Sequence, residues 1–430
     1  MIKKHSNVRK IFIFLFSIVV LIDSINGFIL NQLNINLSVG QLFRVVLFFI
    51  LLAIIIKYSK KGLFKVIFII LYFLIMQLIY FYYHSSIKGL LLDINESFKP
   101  LLIIVIIEAY KALNRHGIIN KKDIATVLKI NLVLFPLSII VPKMLGLGEY
   151  VYSNGSGYKA FYNANNDLNI VLLVLLIFGI DQLFKVITGK GKSLFYLLFV
   201  FLLLVTLLLI GSKSSIVFSI VIILFYLLKS LVKNTFVTNL KIGVSTFVVI
   251  TAVTYLLSNY YQDDVDLILE RQTYFYESNM QDDNNIIAFL LSGRNEFLNA
   301  AVLSFEKSEF KVPRMLIGTG KYYHSVLTGK EFSRDSLIIE MDLFDIFFSY
   351  GILGLLIIYG YFTSIFIRYL TSTSKGKELS YILSYIVIAI FSFLGGHVFF
   401  SALSGTFLAL VCCLLLSCQD EKTDKNTSTL

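Results

Sequence analysis

Apolar runs of membrane-crossing length recur along almost the whole chain, and no other feature restricts its possible folds so sharply. A hydrocarbon core takes about 20 apolar residues per helical crossing, whereas a barrel strand needs only ~10 with strict alternation. The runs here are long and do not alternate, so they predict helices, which pair every backbone N–H within the segment. Composition agrees. Of 430 residues 57% are hydrophobic and 15% charged, with a mean hydropathy of +0.80, outside the range of a soluble domain. The expected class is all-α: a polytopic integral membrane protein.

Spans are predicted at 11–30, 41–56, 64–83, 98–113, 124–141, 166–184, 193–210, 215–228, 242–257, 341–369, 379–394 and 398–416. That is about twelve crossings. Length decides two boundaries. A single helix over 193–228 would be about 54 Å long, too long for one crossing, so 211–215 is a turn. Gly395, Gly396 and His397 divide 379–416 in the same way. The first run follows Lys3, Lys4, Arg9 and Lys10 as a secretory signal would, but no small-residue cleavage site comes after it. It is expected to be a retained first span.

The net charge of +11 at first suggests a nucleic-acid partner, but its distribution excludes that reading. Lys and Arg recur at alternate loops, as at Lys57, Lys60, Lys61 and Lys65, or Lys111, Arg115, Lys121 and Lys122. This is the pattern of cytoplasmic loops, and an even number of spans then places both termini in the cytoplasm. The resulting layout is an N-terminal bundle of about nine spans over 1–257, one large outer loop with short helices over 258–340, C-terminal spans over 341–418 and a tail over 419–430. Cys412, Cys413 and Cys418 lie together near the last span without metal-type spacing, so neither a disulfide framework nor a zinc site is expected.

The loop 258–340 concentrates polarity in a chain that otherwise keeps its loops short, so chemistry on a polar substrate is expected there. Phe297, Leu298, Ala301, Val302 and Phe305 form a helical stripe suited to lying on a membrane surface. Asp263, Asp264, Asp266, Glu270, Asp282 and Asp283 read as a solvated acidic rim. The outward cations are Lys213, Arg271, Arg294, Arg314, Lys321 and Arg334. Arginine matches phosphate oxygens bidentately and lysine serves as a point charge, so such a set suits a diphosphate. Pairing with the nearby acids is the alternative, and for Arg271 beside Glu270 it is preferred. Arg294 follows Ser292 and Gly293 on a tight turn before a helix, where backbone N–H groups can join it on an anion. Two readings stand for Lys213: a ligand contact, or an interfacial lysine reaching water.

Glu340, Asp342 and Asp345 stand where the loop re-enters the membrane, and positions three apart share a helix face. Acids there are costly unless paired or used, although they also favour a helix N-terminus. One of them can act as a base on a sugar hydroxyl. His324 and His397 follow glycine turns, with a plain hydrogen bond to a carbonyl as the alternative reading. Asn163 and Asn166, just before a span, read either as glycan contacts or as helix caps.

These pieces occur in a telling order: 157–166 before a span, the turn 211–215, Ser292, Gly293 and Arg294, the glycines of 316–320, an acidic element ending at Tyr350, Gly351 and Gly354, and the Gly396–His397 hairpin. In that order and topology the chain resembles bacterial O-antigen and capsule repeat-unit polymerases, within the O-antigen ligase and polymerase superfamily. The resemblance implies a GT-C-like glycosyltransferase of the bacterial cytoplasmic membrane that works without metal or cofactor. It implies transfer of a growing glycan from undecaprenyl diphosphate to an incoming lipid-linked repeat unit. Membrane lipids, a flippase and a chain-length regulator of the same pathway are the implied partners. Arg294 matches the family's loop arginine, and Lys213 stands where related ligases carry arginine. Glu340 falls where those ligases have His, which disfavours the ligase reading; a lipid-linked glycan flippase is the main rival. The expected catalytic residues are thus Glu340, Asp342 and His397, and the expected diphosphate or glycan contacts are Lys213, Arg294, Arg314, Lys321, His324, Asp345, Asn163 and Asn166.

Overall fold

A computed structural model describes residues 2–152, 154–189, 193–233, 235–281, 291–372 and 377–420. The described chain is helical apart from a two-stranded antiparallel hairpin, Glu149–Tyr150 against Tyr158–Ala160. Among the described residues eight helices are long and apolar enough to cross a membrane. The number rises to nine if the bent pair Ser6–Ser17 and Val19–Gln32 forms one span. The other expected spans also coincide with helices. Leu379–Leu394 and Ala402–Ser417 are apolar but shorter, and Ile87–Arg115 carries Asp93, Glu96, Lys99, Glu108 and Lys111 along its length. The turn at 211–215 separates Ser193–Ile210 from Lys213–Lys233, as crossing length requires.

The chain divides into two compact units. The first comprises 1–43, 122–277 and 382–387. Its most enclosed element is Asn165–Thr188, in which every position over 168–181 is buried. A helix apolar all round belongs inside a bundle. Ala164, and not an asparagine, occupies its N-cap position and makes no side-chain cap, so Asn165, Asn166 and Asp167 fall in the first turn. Asp181, buried on this helix, pairs with Lys185 at 2.7 Å and lies 3.8 Å from Lys229. The acidic segment forms the helix Gln262–Gln281, with Asp263, Asp266 and Glu270 exposed. Asp264 pairs with Lys143 at 2.8 Å, while Asp282 and Asp283 lie outside the described residues. The Arg271 guanidinium stacks 3.0 Å from the Tyr152 ring centre, a contact that the expected pairing with Glu270 did not anticipate.

The second unit comprises 44–121, 278–381 and 388–430. Ile87–Arg115 and Ala402–Asp420 pack together at its centre, where Gly405 comes so close to Ile103 that an added methyl would stand 2.7 Å away. Cys412 and Cys413 are buried free thiols there; the side chain of Cys418 lies outside the described residues. The helix Asp342–Thr371 departs from the expected single span, because Gly351 has φ 66° and ψ −170° and breaks it. A break frees carbonyls from the ladder, and they need donors. Ser349 O accepts from Gly320 N at 2.9 Å and from Tyr80 Oη at 3.0 Å, and Tyr350 O accepts from Tyr72 Oη at 3.0 Å. Glycine is needed on both sides of this contact. A methyl on Gly318 would lie 2.2 Å from Ser349 O, and one on Gly351 would lie 2.3 Å from Leu316 C. The 316–320 segment is thereby held against the break, which positions the site residues that follow it.

Four of the five stripe residues on Arg294–Glu306 pack against protein and only Val302 is left exposed, so most of the face expected on a membrane surface is covered from within. Phe297, Leu298, Ala301 and Phe305 pack against Ile339, Met341 and Phe348 of the same unit. A period of 3.6 residues indicates that a face is apolar, but not what covers it.

Candidate functional site

Arg294, Glu340 and His397 converge in the second unit from three separate stretches of sequence. Gly293 at φ 79° sets the start of the helix Arg294–Glu306 and turns the Arg294 side chain back to donate to Leu291 O at 3.2 Å. Its other terminal nitrogen pairs with Glu340 Oε2 at 2.8 Å. The second Glu340 oxygen lies 3.8 Å from His397 Nε2. Both Glu340 and His397 have left-handed backbone, φ 61° and 65°. Such conformations are strained for residues with a Cβ and persist only where the surroundings enforce them.

Asp342 and Gly396 enforce them. Asp342 is fully buried, and its carboxylate accepts from the N–H groups of His397, Val398 and Phe399 at 2.8, 2.6 and 3.1 Å. Gly396, at φ 64°, presses on Glu340 so closely that a methyl would stand 2.2 Å from its carbonyl oxygen. Asp342, expected among the catalytic residues, therefore spends both oxygens on the turn that presents His397. Its described hydrogen bonds all go to the backbone of that turn.

Burial would raise the Glu340 carboxyl, but the neighbouring His397 and Arg294 side chains outweigh it and hold the group at about 2. An acid that weak as a base cannot take a hydroxyl proton efficiently at neutral pH. Glu340 is suited to orient and charge-balance its two partners. The His397 side chain beside it is 23% exposed, so a ligand can reach it.

One turn further along, Asp345 anchors a fully enclosed cluster. Lys321 Nζ pairs with Asp345 Oδ1 at 2.7 Å and sits 4.3 Å from the Phe400 ring centre, while His324 Nε2 is 3.8 Å from the same oxygen. Lys321, His324 and Asp345 are at most 4% exposed. Burial, then the Lys321 and Arg314 charges, keeps the His324 imidazole neutral. Arg314 is buried apart from this pair and donates to Ser304 O and Oγ at 2.7 and 3.1 Å. Lys321, His324 and Asp345, expected as substrate contacts, are thus enclosed in the framework beside the site.

The remaining expected contacts fall in the first unit. Asn163 is exposed before the helix Asn165–Thr188, Asn166 is half-buried in its first turn, and half-buried Lys213 opens the helix Lys213–Lys233 behind a cap in which Ser215 N donates to Ser212 Oγ at 3.1 Å.

Asp93 escaped the sequence reading. It is 1% exposed, accepts from Tyr322 N at 2.6 Å, and leaves Gly320 room for no side chain, since a methyl there would lie 2.3 Å from Oδ2. Burial raises its carboxyl to about 7, with the Tyr322 N–H opposing and Glu96 reinforcing the rise. The available signal was an acid in a short polar stretch just ahead of an apolar run.

Compared with known proteins, the chain matches no family model and no curated protein.

Proposed function

We propose that the chain is a polysaccharide polymerase: a bacterial membrane glycosyltransferase that moves a growing glycan from undecaprenyl diphosphate to a lipid-linked repeat unit. The observation that carries this reading is the convergence of Arg294 and His397 on Glu340. His397 takes the proton of the acceptor hydroxyl as that oxygen bonds to the anomeric carbon. The bond from this carbon to the diphosphate oxygen breaks, the electron pair leaves with the diphosphate, and Arg294 meets the developing charge. Glu340 stays ionised and holds both side chains. In this reading the chain crosses the membrane about twelve times in a GT-C-like arrangement, the short helices included, with both termini cytoplasmic and 258–340 outside.

The test is a strain lacking the chain, with its surface glycan displayed on a gel. Loss of the polymer ladder with single capped units retained is the expected result. Loss of all surface glycan would assign a flippase instead, and unligated polymer a ligase.

A further inference from the structure

Among the described residues, Arg314 is a buried cation that pairs with no carboxylate. It is 4% exposed, its terminal nitrogens donate to Ser304, and its Nε–H has no partner among the described residues. Burial lowers it only to about 10, so it stays charged at neutral pH. A buried charge that no counter-ion balances is costly and marks a place for an anion. Arg314 also forms part of the wall of a cavity of about 380 Å³, large enough for a small ligand group.

The other walls define what kind of anion. Tyr83 and His84 come from the last turn of Lys60–His84, a helix apolar and long enough to cross a membrane, so the cavity opens where such a helix ends. Leu327, Phe310 and Ile317 make the lining largely apolar, and Lys330 adds a second cation. Lys307 also lines it but is neutralised by Glu331 at 2.5 Å. Of the lining residues, Tyr83 and Phe310 are 59% and 56% exposed, an aromatic collar of the kind found at a membrane interface. A free anion has no use for that collar; an amphiphile does.

We propose that this cavity holds the headgroup of an anionic phospholipid, with its phosphate on Arg314 and its chains leaving past Tyr83 and Phe310. The site is independent of the polymerase reading.

The test is native mass spectrometry of the full purified chain titrated with phosphatidylglycerol or phosphatidylcholine. One phosphatidylglycerol should bind about 10-fold more tightly than phosphatidylcholine. Arg314→Gln should abolish that preference. So should Leu327→Trp, which fills the cavity and keeps the arginine, so the outcome does not depend on the fold of the first variant. Equal binding of both lipids, or a preference that survives both the Arg314 and Leu327 variants, overturns the proposal. Displacement by sn-glycerol 3-phosphate alone would make it a soluble-anion site, and stronger displacement by a polyprenyl phosphate would make it a carrier-lipid site; either result also overturns it.

Discussion

Glu340 and His397 face each other from left-handed backbone, and their side chains come within 3.8 Å. Strain held at two facing polar residues is characteristic of a site built for use. Under the proposed polymerase mechanism, Arg294→Ala and His397→Ala are therefore each expected to reduce polymer at least ~100-fold, since each removes a group that the proposal assigns to the transition state. Arg294→Lys should recover only part, because lysine lacks the fork that serves Leu291 O and Glu340 together. Gel ladders normalised to the amount of protein in the membrane measure this. A full ladder from normally inserted Arg294→Ala would sink the role given to Arg294.

Asp342 supports the same turn from below. Asp342→Asn turns an amide donor toward backbone N–H groups and should cost roughly 2–3 kcal/mol. Thermal unfolding in detergent would show the loss, and activity should fall with it through His397. Unchanged stability would show that the three N–H groups at 397–399 do not depend on this carboxylate.

Lys321 and Asp345 form an ion pair sealed from solvent. Lys321→Met strands a buried carboxylate and should destabilise the protein by about 3–5 kcal/mol. Lys321→Met combined with Asp345→Leu should restore most of that, because removing both charges removes the desolvation penalty. If the double variant is no better than the single one, the pair does more than balance charge.

Asp93 predicts a pH dependence. Its carboxyl rises from an ordinary 3.8 to about 7, so the folded state favours the protonated form. The sign follows from linkage: this stabilisation is complete below the ordinary value and is lost as pH rises through about 7. Asp93→Asn keeps an acceptor for Tyr322 N and removes the titration. The wild type should lose thermal stability relative to this variant between pH 5 and pH 8; parallel curves would refute the assignment.

Much of the helical frame was legible in the chain because crossing length is a one-dimensional property: apolar runs and the glycine turns at 211–215 and 395–397 mark it directly. Arg294 and His397 were legible for a related reason, since each follows a glycine that must adopt positive φ. What covers a face was not. The stripe of Phe297 and Leu298 has the same spacing whether lipid or Ile339 lies against it. Nor could spacing reveal that Arg314, Lys321 and Asp345 point inward, or that Tyr72 and Tyr80 satisfy a helix break far along the sequence. Those relationships arise only when distant segments meet.

The backbone contact between Gly318 and Gly351 makes the polar segment inseparable from the membrane helices. Its 316–320 stretch rests on freed carbonyls of the broken helix, and Tyr80 and Asp93 on membrane-side helices complete the contact. A soluble fragment cut from 258–340 would lack those partners and expose the apolar side of Arg294–Glu306. Antibodies or inhibitors selected against such a fragment would therefore recognise surfaces that the intact protein keeps covered.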